Sequence, residues 1–496
     1  MIRLLLCFAG TLATASPASA SRHSEPGSDP RAAAVLDTAI ARMGGADSLR
    51  AVKRARFEMM TQWQRTAFDA RPYADQPSYE SHSDMRDYTI GAWRNTRRFG
   101  SGAAQSAIVD VVRDSVAIRR SPQGGSGGVA SPAAVAPGSW APLNIAYVDE
   151  RRELFAMAPE RLLLAARDAR DLRALPDTTI GGAAHARVSA TVDRFPTTLF
   201  FRRSTGYLTA ARFHTAEPND FGLVPWGDME VELWYSAWRK SPNGIVYPFQ
   251  WDERRVGKPY KRMTVLAAQL NPPAMPDSFV VSDSLRAAYL ATATRPMHDL
   301  PLDSARIVDR RFASFGAFGT PAGAVKLGNA WVLLEGGQAP LSVERSAAWL
   351  ARADAGSTLV AALVTMPATG SGGAAWLVSH EVPVHVAPGA EPFVRAVLRG
   401  NATPVAGLTP VTRGRWLRVS GDSLRLEPID LPDAPGTLVA YVPSLEWVYS
   451  ASAASPLHLD LILARARERG WRVSRFGSLR GVTTMLPAGQ RVGGGS

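Results

Sequence analysis

Histidines are the first residues to weigh for metal or acid–base chemistry, and their spacing discourages both. The eight are His23, His82, His185, His214, His298, His380, His385 and His458. No two are spaced His-x-His or His-x3-His, the patterns that bring two imidazoles to one metal ion. His380 and His385 lie five apart across an expected helix–strand junction and read as surface or core-edge side chains. His458 and Asp460 fall on an expected helix, where positions i and i+2 face apart. His214 sits mid-strand and reads as a sheet residue. Nucleophilic serine chemistry needs a base and an orienting acid. Gly-x-Ser-x-Gly is absent around Gly370-Ser-Gly-Gly373, which reads as a turn. Gly124-Gly-Ser-Gly-Gly128 lacks the Lys of a phosphate-binding loop. Asp228, Glu230 and Glu232 alternate along one strand and share a face. They read as a solvated stripe, with a weak Ca²⁺ site as the alternative.

The elements that would position these residues change character along the chain. Residues 31–290 read as a helix followed by a large antiparallel sheet. Leu36, Ile40 and Met43 recur near helical spacing, and Gly44-Gly45 ends that helix. Broken strands are expected around Phe57–Gln62 and Asp87–Trp93, a mobile loop over Ser121–Ser139, and a helix over Glu160–Arg173. Clearer strands follow at Ala186–Val192, Thr198–Arg202, Leu208–Thr215, Met229–Trp238, Val246–Glu253 and Tyr260–Gln269. Short turns between them predict an antiparallel meander. Aromatic residues are dense here. Most fill a sheet face, and Trp226, Trp234, Tyr247 and Trp251 are the candidates for an apolar groove that holds a lipid or acyl chain.

Residues 300–496 alternate strands and helices. Strands are expected at Ala330–Glu335, Thr358–Val364, Val382–Val386, Trp416–Val419, Ser423–Pro428, Thr437–Val442 and Trp447–Ser450. Helices are expected from Pro340 to Arg352, over Ala374–Ser379, over Glu391–Arg399 and over Leu457–Glu468. This is an α/β or αββα layering. A boundary is expected between about residues 285 and 305, with residues 486–496 as a flexible tail.

Composition narrows the function classes. The chain has 496 residues, 46% hydrophobic and 20% charged, which excludes wholesale disorder. Its formal net charge is +12, and only five basic residues are Lys. The Arg residues are scattered singly or in pairs, without the clustered stripe that nucleic-acid binding requires. Met1-Ile-Arg3, the apolar run Leu4–Leu12 and Ala18-Ser19-Ala20 form a bacterial-type signal peptide cleaved before Ser21. Its Cys7 is the one cysteine, so the mature chain has no disulfide, thiolate nucleophile or Cys-ligated metal. No later window is long and apolar enough to span a bilayer. The expected location is periplasmic or secreted.

Two family resemblances follow from particular strings. Leu36-Asp-Thr-Ala-Ile-Ala-Arg-Met-Gly-Gly45, Gly227-Asp-Met-Glu-Val-Glu-Leu-Trp-Tyr-Ser236 and Gly244-Ile-Val-Tyr-Pro-Phe-Gln250 resemble the half-barrel of outer-membrane lipoprotein-carrier and lipoprotein-sorting proteins. Trp331-Val-Leu-Leu-Glu335, Ser342-Val-Glu-Arg-Ser346, Gly372-Gly373, Gly436-Thr-Leu-Val-Ala-Tyr441 and Gly477-Ser-Leu-Arg-Gly481 resemble, in order and spacing, the metallo-β-lactamase fold over residues 303–485. The resemblances imply a curved antiparallel α+β domain followed by an αββα sandwich.

The second family holds metal through His-x-His-x-Asp-His and further ligands, and a metal-bound water attacks the substrate. Anchored on Gly372-Gly373, those positions fall here on Thr365, Pro367, Thr369 and Gly370. The later ligands fall on Asp433, Ser452 and Arg480. One carboxylate is too few donors for a transition metal, and Arg480 could fill the vacated space and pair with Asp433. The expectation is therefore an exported, non-catalytic protein of this fold, with no cofactor, that binds a small molecule, lipid or protein partner. The alternatives are a hydrolase with an atypical zinc site and a periplasmic lipid or lipoprotein handler acting through the first sheet.

Overall fold

The computed structural model describes residues 29–64, 77–99, 106–122, 137–216, 228–255, 257–294, 302, 304–317, 320–336, 340–366, 372–400, 403–432 and 434–493. The segment read as a signal peptide with Cys7, most of the Ser121–Ser139 stretch, Trp226, Pro367, Thr369, Gly370 and Asp433 lie outside these residues. No described helix is long and apolar enough to cross a membrane.

A 13-stranded antiparallel sheet takes up the chain from Arg54 to Leu270. Its first six strands are β1 (Arg54–Gln64), β2 (Pro77–Asp87), β3 (Ala92–Phe99), β4 (Ser106–Arg113), β5 (Val116–Arg120) and β6 (Trp140–Pro142). The other seven are β7 (Arg173–Ile180), β8 (Ala183–Val192), β9 (Phe195–Arg202), β10 (Leu208–Ala216), β11 (Asp228–Lys240), β12 (Val246–Arg255) and β13 (Lys258–Leu270). Each run forms a meander. The two join where β1 pairs with β13, so the first and last strands lie side by side at the centre.

Helices α1 (Pro30–Met43), the short α2 (Ala46–Arg50) and α4 (Pro159–Arg167) cover one end of one sheet face. Leu36 and Ile40 from α1 and Leu162 and Leu163 from α4 bury their side chains with Phe57, Val188, Phe213 and Tyr247. Asp29 fixes the start of α1: its carboxylate accepts from Arg31 N at 2.8 Å and from Ala174 N at 3.0 Å. Gly44, at φ +120°, ends it in a conformation side chains rarely adopt. Helix α3 (Ala146–Ala156) lies over the other end of the face and was not expected.

Two sequence readings change here. Asp87–Trp93, expected as a strand, contains the turn between β2 and β3. Gly91 takes φ +56° there, and the Asp87 carboxylate accepts from Thr89 N at 3.0 Å. The helix expected over Glu160–Arg173 stops at Arg167, and β7 begins at Arg173.

Beyond α5 (Asp283–Thr292) the chain builds two facing sheets. The first runs β14 (Ser304–Val308), β15 (Phe312–Ala317), β16 (Thr320–Leu327), β17 (Ala330–Leu334), β18 (Thr358–Val364), β19 (Val384–Val386) and β20 (Leu408–Pro410). Pairing from β17 to β20 is parallel. Helices α6 (Pro340–Ala353), α7 (Ala374–Ser379) and α8 (Glu391–Gly400) lie between these parallel strands in sequence. The second sheet runs β21 (Arg415–Val419), β22 (Asp422–Leu431), β23 (Ala434–Val442), β24 (Trp447–Tyr449), β25 (Arg475–Ser478) and β26 (Gly481–Met485).

One apolar core joins Phe312, Val325, Val332 and Leu334 of the first sheet to Leu424, Leu426, Leu438 and Trp447 of the second. Alternation sends Val439, Tyr441 and Val448 to the opposite face, where Ile462, Leu463 and Ala466 of α9 (Pro456–Glu468) cover them. Gly373 is required at the entry to α7, because a Cβ there would meet Gly336 O at 1.8 Å. Of the stretch read as a flexible tail, residues 486–493 are described and are anchored instead. Leu486 and Val492 are buried with Trp471 and Val473, and Val492 bridges to Val473. Phe393 and Val397 of α8 join the apolar cluster of the 13-stranded sheet, which α8 meets at β11.

Candidate functional site

The strands under α3 turn charged side chains toward the same face that carries the core. On β2, Glu80, His82, Asp84 and Arg86 alternate inward. They meet Thr61, Met59 and Phe57 of β1, and Arg97, Asn95 and Trp93 of β3. Asp110 of β4 and Arg119 of β5 continue the row, and Trp251, Glu253 and Lys261 extend it through β12 and β13. With Tyr147, Glu150, Glu153 and Leu154 of α3 above, all of these residues except Phe57, Glu80 and Arg86 line a cavity of about 210 Å³.

The charges that the strands turn toward this cavity are paired. Arg119 donates to Asp110 at 2.6 and 2.9 Å, and Arg97 reaches the same carboxylate at 3.4 Å. Burial alone would raise the Asp110 carboxyl, but Arg119 and Arg97 outweigh it and hold it below the usual carboxylate range. Arg255 donates to Glu253 at 2.7 Å, and Lys261 Nζ lies 2.8 Å from its other oxygen. Burial would lower the Lys261 ammonium, and Glu253 reverses that direction. His82 Nε2 lies 3.3 Å from Glu80 Oε2, which also accepts from Trp63 Nε1 at 3.1 Å.

Behind the cavity, Asp84 accepts from Arg86 Nε at 2.7 Å and from Trp93 Nε1 at 3.0 Å. The Arg86 guanidinium is fully buried, 4.9 Å from the Phe57 ring centre and 5.3 Å from that of Trp251. A second buried carboxylate, Glu160, accepts from Tyr88 at 2.6 Å and from Tyr247 at 3.0 Å. Burial first, and Glu160 second, push both phenols well above their ordinary pKa.

Polar atoms of the cavity wall without a hydrogen-bond partner among the described residues include Thr61 Oγ1, Asn95 Oδ1 and Arg97 Nε, while His82 Nε2 has only its 3.3 Å ion-pair approach to Glu80. Thr61 is 1% exposed. A buried polar atom left unpaired costs about 1–3 kcal/mol.

The strand ends of the two-sheet unit hold a contrasting polar cluster. Thr365 follows β18 and is fully buried. Its hydroxyl donates to Glu335 and accepts from Ala451 N at 2.9 Å, while its carbonyl accepts from Leu438 N at 3.4 Å. Its own N–H points to both Glu335 oxygens, at 3.3 and 3.2 Å. Tyr449 also hydrogen-bonds Glu335, and burial together with that carboxylate pushes the phenol well above its ordinary pKa. Glu335 takes φ +60°, a left-handed conformation that this network holds in place.

A zinc site needs three or four N, S or O donors. The described residues here offer one carboxylate, already engaged, and the buried Ser450 and Ser452 hydroxyls, which lack hydrogen-bond partners. This set does not fit the ion. Among the described residues, no group of three His, Cys, Asp or Glu could hold a metal.

The sequence-predicted residues are thus placed unevenly. Thr365 and Ser452 come to adjoining strand ends, where Ala451 N meets the Thr365 hydroxyl. Arg480 is exposed in the turn after β25, its N–H donating to Ser478 Oγ at 3.1 Å. Its suggested partner, Asp433, is outside the described residues, as are Pro367, Thr369 and Gly370.

The four groove aromatics are not brought together. Trp251 lines the cavity and Tyr247 is buried in the core. Trp234 lies on the opposite face beside Glu232, with Arg254 over its ring, and Trp226 is undescribed. Of the carboxylate stripe, Glu230 and Glu232 are both paired with Arg212, at 3.8 and 2.6 Å, as a salt-bridged sheet face. The described histidines scatter. His185 is buried beside Thr209, His214 is exposed, His380 stacks on Trp376 and His385 lies buried in β19.

Sequence reasoning missed Thr61, Asn95, Arg97, Asp110 and Arg119. The period-two run Glu80-x-His82-x-Asp84-x-Arg86 was the available signal, an inward row of charge disguised as an outward one.

No protein-family model matches this chain, and no curated protein matches it. Among solved structures, one similar chain is a domain described as an outer membrane lipoprotein-sorting protein, from Vibrio parahaemolyticus. It is 8% identical, with a TM-score of 0.29, over 50% of this chain and 95% of that one. Another is a metallo-β-lactamase from Pontibacter korlensis, 12% identical, with a TM-score of 0.27, over 35% of this chain and 88% of that one. At such values neither likeness carries a family or an activity.

Proposed function

We propose that this chain is an exported, non-catalytic binding protein whose ligand site is the cavity beneath α3. In this reading residues 31–290 form a carrier-like sheet domain and residues 303–485 a metallo-β-lactamase-like sandwich that works without zinc. The carrying observation is the cavity wall itself, where Thr61, Asn95 and Arg97 keep polar atoms unpaired beside paired charges. The strand-end cluster supports the non-catalytic part. Glu335 is the carboxylate there, and Thr365 and Tyr449 already occupy it.

Ligand that binds only the folded state raises stability by mass action. An aqueous extract of bacterial cells is therefore expected to raise the melting temperature of the full chain. Leu233→Trp, which fills the cavity, should remove that rise, and Thr61→Val should reduce it. An extract that moves all three proteins equally, or none, rejects the site. Zinc and iron in the purified protein should stand at background by elemental analysis. One equivalent of either, lost together with a hydrolytic activity on chelation, would favour the hydrolase alternative.

A further inference from the structure

From the same wall we infer that the ligand is an uncharged polyhydroxyl compound the size of a single sugar ring. This rests on the cavity being the binding site, and three observations set the class. The first is charge. Arg97 and Arg119 share Asp110, Arg255 and Lys261 share Glu253, Glu150 and Glu153 of α3 bring the carboxylates level with these four cations, and Asp84 is held by Arg86. A charged ligand would have to take a partner out of a buried ion pair, and breaking such a pair is strongly unfavourable. The second is the character of the open groups. Thr61 Oγ1 can donate or accept, Asn95 Oδ1 accepts and Arg97 Nε donates. Hydroxyl groups answer all three, because each both donates and accepts. An acyl chain answers none.

The third observation is the aromatic wall and its size. Trp63, Trp93, Trp251 and Tyr260 line the cavity together with these polar groups, and a sugar ring has both an apolar C–H face and a polar edge. The volume of about 210 Å³ is below the roughly 300–1,000 Å³ of sites for drug-sized ligands. One ring fits this space better than a long chain.

The test is saturation-transfer NMR followed by calorimetry on the full chain. The neutral probes are glucose, galactose, mannose and N-acetylglucosamine. Glucosamine, glucuronate and octanoate are the charged and acyl comparisons. Binding of at least one neutral sugar, in preference to its charged counterpart and to octanoate, is expected. Thr61→Val and Asn95→Leu should each weaken it about tenfold, one hydrogen bond's worth, without lowering the melting temperature by more than a degree or two. Leu233→Trp should abolish it.

Preference for glucosamine, glucuronate or octanoate, still abolished by Leu233→Trp, overturns the ligand class and leaves the cavity as the site. Sugar binding unchanged in all three variants places it elsewhere and overturns the inference. No binding by any probe, with no thermal shift from extract, rejects both the ligand class and the site.

Discussion

The inner face of the 13-stranded sheet and the strand ends of the sandwich both bury carboxylates, but they finish their hydrogen bonding differently. At the strand ends, the donors and acceptors of Thr365 go to Glu335, Ala451 and Leu438, tying the first sheet to the second. On the inner face the strand charges are paired, while Thr61, Asn95 and Arg97 keep buried atoms unpaired in the wall of a cavity. A closed network serves the fold. An open one is a standing cost that a ligand can offset. Residue type does not separate the two, since a buried threonine stands at the centre of each.

The largest test of this contrast removes a paired charge. Asp84→Ala leaves the fully buried Arg86 guanidinium without its carboxylate. The expected loss is about 3–5 kcal/mol in urea unfolding. A loss under 1 kcal/mol would mean that the inner-face charges are not structural partners.

The next test uses pH to separate the regions. Burial, helped by Arg415, depresses His385 in the sandwich to a pKa of about 4, below its ordinary 6.5. The folded state therefore binds this proton less tightly than the unfolded chain. The associated stability is complete above pH 6.5 and lost as pH falls toward 4, by roughly 3 kcal/mol in all. Asp110 in the sheet is depressed below the usual carboxylate range, so its contribution is lost only at more acid pH. Urea midpoints of the sandwich transition at pH 7 and pH 4.5 should differ, and His385→Gln should flatten the difference. An equal drop in the variant assigns it to other groups.

A matched pair gives the sharpest reading. Thr365→Val should destabilise the chain by about 1–3 kcal/mol, because Glu335 and Ala451 N both lose a partner. Thr61→Val should instead stabilise the chain, by up to about 1–3 kcal/mol, because it removes a buried hydroxyl that no protein group bonds. Equal costs at the two positions would dissolve the distinction between closed and open networks.

How legible each region was in the sequence follows from the same chemistry. Strands β8 to β13 were readable because their inward residues are largely apolar, as in Ala186, Val188 and Ala190, and turns such as Ser241-Pro-Asn-Gly244 punctuate them. Strand β2 was passed over because its inward positions are Glu80, His82, Asp84 and Arg86. Pattern reading assigns charge to solvent, so the strand that builds the cavity was the least visible one.

In the sandwich, β17, α6, β18 and α7 matched expectation closely, through continuous apolar runs and Gly373. The short strands β25 and β26 lacked such runs. Thr365 was singled out, but Glu335 was read only as the last residue of a strand. Its role depends on a fold that brings residues thirty apart into one hydrogen bond.

The pairing of β1 with β13 also bears on how the chain reaches its native state. Arg54 N bonds the Asn271 side chain across 217 residues of sequence. The central pair of the sheet therefore cannot zip until nearly the whole first half of the chain is available. Closing so distant a contact is slow, because the entropy of the intervening loop is lost before the strands reward it. Until then β1 carries an unsatisfied edge, open to another chain's strand. Truncation before Leu270 should consequently yield aggregates rather than a smaller folded sheet, a difference that light scattering on a 29–255 fragment would reveal.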